Sequence, residues 1–372
     1  MFKEFFESEK AGGLVLVLVT LLSLFVANSP FGVSYVGIWH FELGGYSIAH
    51  WINDGLMTIF FLLIGLELER EIYRGELSNL KNALLPIFGA LGGMIIPALF
   101  YFLLNKGSET ASGIGIPMAT DIAFAIGVLS LLGSRVPSSL KIFLTALAVI
   151  DDLGAIILIS IFYTTSLAFT NLFVALSIFL VLIILNRLKV RNLLVYLVPG
   201  VVMWYFMLNS GVHASITGVM LAFAIPFGDG KEKSPSYLLQ HFLHKTVAFI
   251  ILPLFALANT CIILGGSWYT DLGHLSSLGI IAGLALGKPL GIWLFSYLAV
   301  TFGICTLPMD IKWNHIIGAG MLGGIGFTMS IFITLLAFDS VDLINASKIA
   351  ILIASLISGI LGLVWLKLSL KR

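Results

Sequence analysis

The sequence predicts an all-α polytopic membrane protein of about twelve transmembrane helices, on three observations. Hydrophobic residues make up 59% of the chain and charged residues only 10%, where a soluble domain carries about 25% charged residues, and the mean hydropathy is +1.07. The apolar residues fall into runs close to the ~20 residues that a helix needs to cross a bilayer. The connections between runs are short, so residues 1–372 read as a single transmembrane domain with lipid as its solvent. A formal charge of +1 excludes a strongly basic nucleic-acid binder. Cys261 and Cys305 lack metal-ligand spacing and read as packing residues, and no cofactor motif is present.

The expected spans lie at 12–29, 51–70, 84–104, 111–131, 139–164, 171–187, 192–209, 211–226, 237–263, 274–300, 313–337 and 344–366. The first follows Lys3 and Lys10, as a signal peptide would, but Glu4, Glu7 and Glu9 mix its flank. No small-x-small cleavage site precedes Asn28-Ser29-Pro30, so it reads as a retained helix. Lys and Arg residues set the orientation. With the N-terminus in the cytoplasm, Lys106 and Lys348 fall outside, Lys288 falls within a span, and all other Lys and Arg fall inside, which makes both termini cytoplasmic. Between the first two spans, Trp39-His40-Phe41-Glu42-Leu43-Gly44-Gly45-Tyr46-Ser47-Ile48 alternates around a Gly-Gly turn, a β-hairpin signal. Such an outer hairpin either offers an exposed edge to a second subunit or lies on the membrane surface.

Ionisable residues inside a span cost about 2.5–3.5 kcal/mol each on insertion scales, so those that occur point to function. Asp121 lies in span four, Asp151 and Asp152 in span five, Lys288 in span ten and Asp54 in span two. Glu67 is close to the inner end of span two and Asp54 close to its outer end, where each can reach the interface. Adjacent helical residues diverge by about 100°. One of Asp151 and Asp152 can therefore face Lys288 while the other faces a cavity with Asp121. A purely structural Lys288–Asp151 pair would leave Asp121 and Asp152 without a fixed counter-charge, which suggests a mobile one, a cation or protons. A carboxylate drawn out of water takes up protons more readily, and hard cations prefer oxygen ligands. Proton and cation competing for one site that faces one side at a time yields coupled antiport. No G-x-x-x-x-G-K-[ST] loop is present to drive transport with ATP.

Gly113, Gly115 and Pro117 precede Asp121 in span four, and Gly318, Gly320, Gly323, Gly324 and Gly326 precede Phe327-Thr328-Met329-Ser330 in span eleven. Paired interrupted spans in two halves of a chain are the sequence pointer to a transporter site. The expectation is two broken crossing helices, the central members of inverted repeats near 84–164 and 274–366. Asp121 would offset the positive half-helix ends and Lys288 the negative ones. Gly89/Gly93 and Gly283/Gly287 instead read as close-packing glycines.

With these residues the chain resembles the NhaA-type sodium/proton antiporters over essentially its whole length. The matching stretches are FFLLIGLELERE (Phe60–Glu71), PMATDIAFAIGVL (Pro117–Leu129), LAVIDDLGAI (Leu147–Ile156), ILPLFALAN (Ile251–Asn259), GKPLGI (Gly287–Ile292) and GIGFTMSIFI (Gly324–Ile333). The resemblance implies an electrogenic exchanger of sodium or lithium for protons in the bacterial cytoplasmic (inner) membrane, serving sodium and pH homeostasis, dimeric through the outer hairpin. It implies Asp151 and Asp152 as sodium ligands, with Asp152 the stronger candidate, and Asp151 trading Lys288 for the ion. Thr120 and Asp121 resemble the crossing pair near the ion. Asp54, Glu67, Gln240 and His241 fall where a funnel or pH response is expected. Lys231 and Gln240 stand where steeply pH-responsive members carry acidic and histidine residues, although His241 and His244 remain, and Glu69 is an acid where a base is expected. A sodium-coupled symporter is the nearest rival, but spans four, five and eleven offer a solute little beyond Thr and Ser. An intramembrane aspartyl protease would need its aspartates on separate helices with a Gly-x-Gly-Asp motif, whereas Asp121 follows Ala119-Thr120.

Overall fold

The computed structural model describes residues 9–164, 167–265, 269 and 272–370. Lys3, Glu4, Glu7, Lys371 and Arg372 lie outside them. The helices are α1 (Glu9–Ala27), α2 (Gly32–His40), α3 (Ile48–Tyr73), α4 (Leu80–Asn105), α5 (Ile122–Ser130) and α6 (Ser138–Phe162). They continue with α7 (Phe169–Arg187), α8 (Leu194–Leu208), α9 (Ile216–Ala224), α10 (Pro235–Asn259) and α11 (Leu275–Thr301). The last three are α12 (Trp313–Gly323), α13 (Phe327–Ala337) and α14 (Val341–Ser369). A 3-10 segment, Glu109–Met118, precedes α5.

Seven helices are long and apolar enough to cross a bilayer: α3, α4, α6, α7, α10, α11 and α14. Three interrupted pairs, α1 with α2, the 3-10 segment with α5, and α12 with α13, pass the same test together, giving up to 10 spans among the described residues. The runs at 192–209 and 211–226 fall short of the expected spans. They form α8, with 15 residues, and α9, with 9 residues. The chain unwinds between them around Gly211, at φ +84°, and α9 stops at Ile225, which Pro226 pushes into the extended region at ψ 136°.

The hairpin expected over 39–48 is shorter than the alternation suggests. Trp39 and His40 close α2, and the strands are β1 (Glu42–Leu43) and β2 (Tyr46–Ser47), paired Glu42 to Ser47 and Leu43 to Tyr46. Gly44 and Gly45 both take positive φ, +63° and +87°, the geometry a two-residue hairpin turn requires. Lys348, expected among the outer charges, lies in the third turn of α14, 8% exposed and beside Cys261.

Two compact units divide the described residues. The first holds α1, α4, the 3-10 segment, α5, α6 as far as residue 155, and α11–α14. Its long contact is α4 along α11, made close by glycine. A Cβ at Gly92 would meet the Gly291 carbonyl, one at Gly93 would lie 2.9 Å from Ile292, and one at Gly287 would lie 3.0 Å from Pro97. Gly92→Ala is therefore expected to force the helices apart at an overpacking cost of about 1–3 kcal/mol, read as a lower Tm in detergent; an unchanged Tm would show that the crossing gives way easily. The second unit holds most of α2, the hairpin, α3, the rest of α6 and α7–α10. Here Gly65 of α3 and Gly218 of α9 let those helices touch.

Wide π-turns interrupt α3 at Trp51–Leu56, α10 at Val247–Ile251 and α11 at Gly283–Gly287. Pro253 and Pro289 follow the last two by two residues. A proline withholds an amide from the turn before it, and the helix answers by widening.

Candidate ion-binding site

The first unit brings Thr120, Asp121, Asp151, Asp152 and Lys288 into its buried interior, each at most 2% exposed. Asp151 and Asp152 sit midway along α6, and Lys288 follows the wide turn of α11. Lys288 Nζ donates to Asp151 Oδ2 at 2.6 Å, and the two side chains are 0% and 1% exposed. Lys288 also donates to the main-chain carbonyl of Met118, the last residue of the 3-10 segment. Thr120 lies against the Asp151 carboxyl, and its hydroxyl donates to the Gly323 carbonyl at 2.8 Å. Asp152 is fully buried and close enough to act electrostatically on Lys288. Taking an ammonium and carboxylates out of water costs several kcal/mol per ion, so the cluster is an expensive feature for a protein that needed only packing.

Two interruptions meet around this cluster. The 3-10 segment and α5 are bent by 40° across 119–121, and α12 and α13 by 48° across 324–326. Each break leaves helix-end amides and carbonyls without intrahelical partners. Asp121 satisfies amides at two helix starts. Its Oδ1 caps α5 by accepting the Phe124 amide at 2.9 Å. Its Oδ2 accepts the Thr328 amide at 3.1 Å and the Thr328 hydroxyl at 2.5 Å, in the first turn of α13. The Asp121 amide donates to Ile325 at 2.7 Å, and Ser330 Oγ donates to the Ile116 carbonyl at 2.7 Å. A carboxylate thus meets the positive ends of two helices, while the Lys288 ammonium meets the negative end of the 3-10 segment.

Thr328 and the Met118 carbonyl belong to the site and were not singled out from sequence. A threonine two residues into an apolar helix looks like a packing residue, and a main-chain carbonyl carries no residue signature. Thr328→Val keeps the shape and deletes the hydroxyl. A hydrogen bond to a charged group contributes about 1.5–3 kcal/mol, so Tm in detergent should fall; no change would remove the hydroxyl from the clasp.

The other sequence candidates lie in the second unit. Asp54 occupies the wide turn of α3, with His50 Nδ1 3.1 Å from one carboxyl oxygen and His213 Nδ1 3.9 Å from the other. Glu67 pairs with His244 at 3.5 Å. Gln240 is half-buried on α10, and His241 is exposed and stacked on Tyr237. Glu69, read above only as an unexpected acid, is 4% exposed and accepts a hydrogen bond from Ser236 Oγ at 3.2 Å. Among the described residues no group of three or more His, Cys, Asp or Glu is placed to hold a metal ion.

The family model described as Na+/H+ antiporter 1 matches residues 3–366. The chain is 67% identical over 366 residues to Na(+)/H(+) antiporter NhaA 1 of Flavobacterium johnsoniae, covering 98% of this chain and 96% of the relative. It is 65% identical to Na(+)/H(+) antiporter NhaA of Flavobacterium psychrophilum, over 100% of this chain and 97% of the relative. With that of Cytophaga hutchinsonii the identity is 62%, over 100% and 96%. Matches of this length and identity, on a chain whose buried carboxylates and lysine meet at two interrupted helices, make it a member of the NhaA family of Na+/H+ antiporters.

Proposed function

We propose that this transporter, which is not an enzyme, exchanges sodium or lithium for protons by alternating access at the Asp151–Asp152 pair. The observation that carries the reading is the Lys288–Asp151 pair at 2.6 Å, buried beside a second buried carboxylate, Asp152, on the same helix. In the proton-loaded form, Lys288 neutralises Asp151 and a proton neutralises Asp152. An arriving sodium takes oxygen ligands from Asp152 and then from Asp151, because a hard cation prefers carboxylate oxygen. Asp152 gives up its proton to water. Asp151 turns from Lys288, and Lys288, its counter-ion withdrawn, gives up a second proton. Two protons against one sodium moves net charge, so the exchange is electrogenic. Asp121 stays in place as the cap on both helix starts, and Thr120 adds a hydroxyl beside Asp151.

On this reading the 3-10 segment with α5, and α12 with α13, are the broken crossing helices of two inverted repeats near 84–164 and 274–366. Both termini lie on the cytoplasmic side of a bacterial inner membrane, a reading supported by the Lys/Arg bias for the side and by membership of the antiporter family for the membrane. The β1–β2 hairpin, with only two strands and therefore two open edges, is the dimerisation element. Asp54, Glu67, Gln240 and His241 line ion access or set the pH response.

Inverted membrane vesicles holding an acid interior, followed with a pH dye, test the reading. Added sodium or lithium should alkalinise the lumen, and potassium should not. No sodium-dependent alkalinisation at acid, neutral or alkaline pH would sink it.

A further inference from the structure

The second unit carries an open surface cavity of about 540 Å³ that ion exchange leaves without a task. Arg70, Arg74, Lys231 and Lys233 line it, opposed by two acids, Asp229 and Glu232. Solvated charges on a surface normally stay mobile, but both arginines here are held. The Arg70 guanidinium lies over the Tyr237 ring, 5.6 Å from its centre. Arg74 Nη1 donates to the Gly230 carbonyl at 3.4 Å, and Gly230 takes φ +60°, a backbone that suits glycine. One of the two acids is partly spent within the loop, since Asp229 Oδ1 accepts the Lys231 amide at 3.2 Å. What remains facing the cavity is an excess of positive charge, half of it on the two arginines that have contacts of their own.

Its place in the fold narrows the ligand. The cavity joins the end of α3 to the start of α10, two helices that are long and apolar enough to span a bilayer. That is the level of lipid headgroups. Planar guanidinium forks match phosphate oxygens, and lysines add point charges. Basic pockets between membrane helices at this level bind anionic headgroups.

We propose that Arg70, Arg74, Lys231 and Lys233 form a phosphate-binding site, filled by an anionic lipid headgroup or by soluble phosphate. The site is separate from the Asp151–Asp152 pair and does not depend on how that pair works. The purified full chain in neutral detergent, in choline chloride at fixed ionic strength, provides the test through its Tm. The probes are inorganic phosphate, dioctanoyl phosphatidylglycerol, and dioctanoyl phosphatidylcholine, whose phosphate is neutralised by its own choline. The wild type should gain a few degrees with at least one of the first two and nothing with the third. A gain with phosphatidylglycerol alone identifies the headgroup, and a gain with inorganic phosphate identifies the soluble ion. Lys231→Gln/Lys233→Gln and, separately, Arg74→Gln should keep the ligand-free Tm and lose the gain. No gain with either anionic probe, equal gains with both lipids, or an undiminished gain in both variants would overturn the proposal.

Discussion

Asp152→Asn is expected to abolish sodium-driven proton movement while the protein still inserts into the membrane at wild-type amount. The substitution keeps the size and shape of a fully buried side chain and removes only its charge. The neighbouring carboxylates have other work: Asp151 is held by Lys288 at 2.6 Å, and Asp121 caps α5 and clasps Thr328. Losing one partner of a buried charge pair costs about 3–5 kcal/mol. At about 1.4 kcal/mol per tenfold, sodium affinity should fall by roughly two to four orders of magnitude. The vesicle assay and a membrane immunoblot check the two halves of the prediction. Full exchange in the variant would move the ion site elsewhere.

Lys288→Ala should damage stability as well as coupling. The lysine is 0% exposed and supplies the fixed positive charge beside Asp151, and its loss also strips the donor from the Met118 carbonyl. An uncompensated buried carboxylate again costs about 3–5 kcal/mol, so Tm in detergent should drop by about 10 °C. Adding Asp151→Ala removes the stranded charge. The double variant should therefore lose less than the two single losses together, with an interaction energy above about 1 kcal/mol. An unchanged Tm and unchanged transport in Lys288→Ala would count against the pairing, and strictly additive losses would assign the damage to packing.

The charged centre was legible because lipid makes charge conspicuous. Asp151 and Lys288 stood out as ions in apolar runs, and the Gly-Gly turn at 44–45 announced its hairpin through the one residue type that takes positive φ freely. What escaped the sequence depends on which neighbour a group faces. Glu69 was no more than an acid where a base is expected until burial beside Ser236 set it apart. Lys348 counted only as an outer charge and its burial went unseen, because hydropathy sums residues along the chain and takes no account of which of them a turn of helix buries. The run at 211–226 is apolar enough for a span, yet Gly211 and Pro226 leave it only the nine residues of α9. At the ion site, Asp121 announced itself, but its partner Thr328 did not, since that hydrogen bond exists only because two helix breaks meet.

The central claim is that sodium and protons compete for the Asp151–Asp152 carboxylates. Calorimetric titration of sodium into the purified protein across a series of pH values, in buffers of different ionisation heat, tests it most directly. Sodium binding should release two protons, and the apparent Kd should rise by up to about a hundredfold for each unit of pH lowered on the acid side, as a site that must lose two protons requires. Sodium binding with a Kd independent of pH and no proton release would contradict the account.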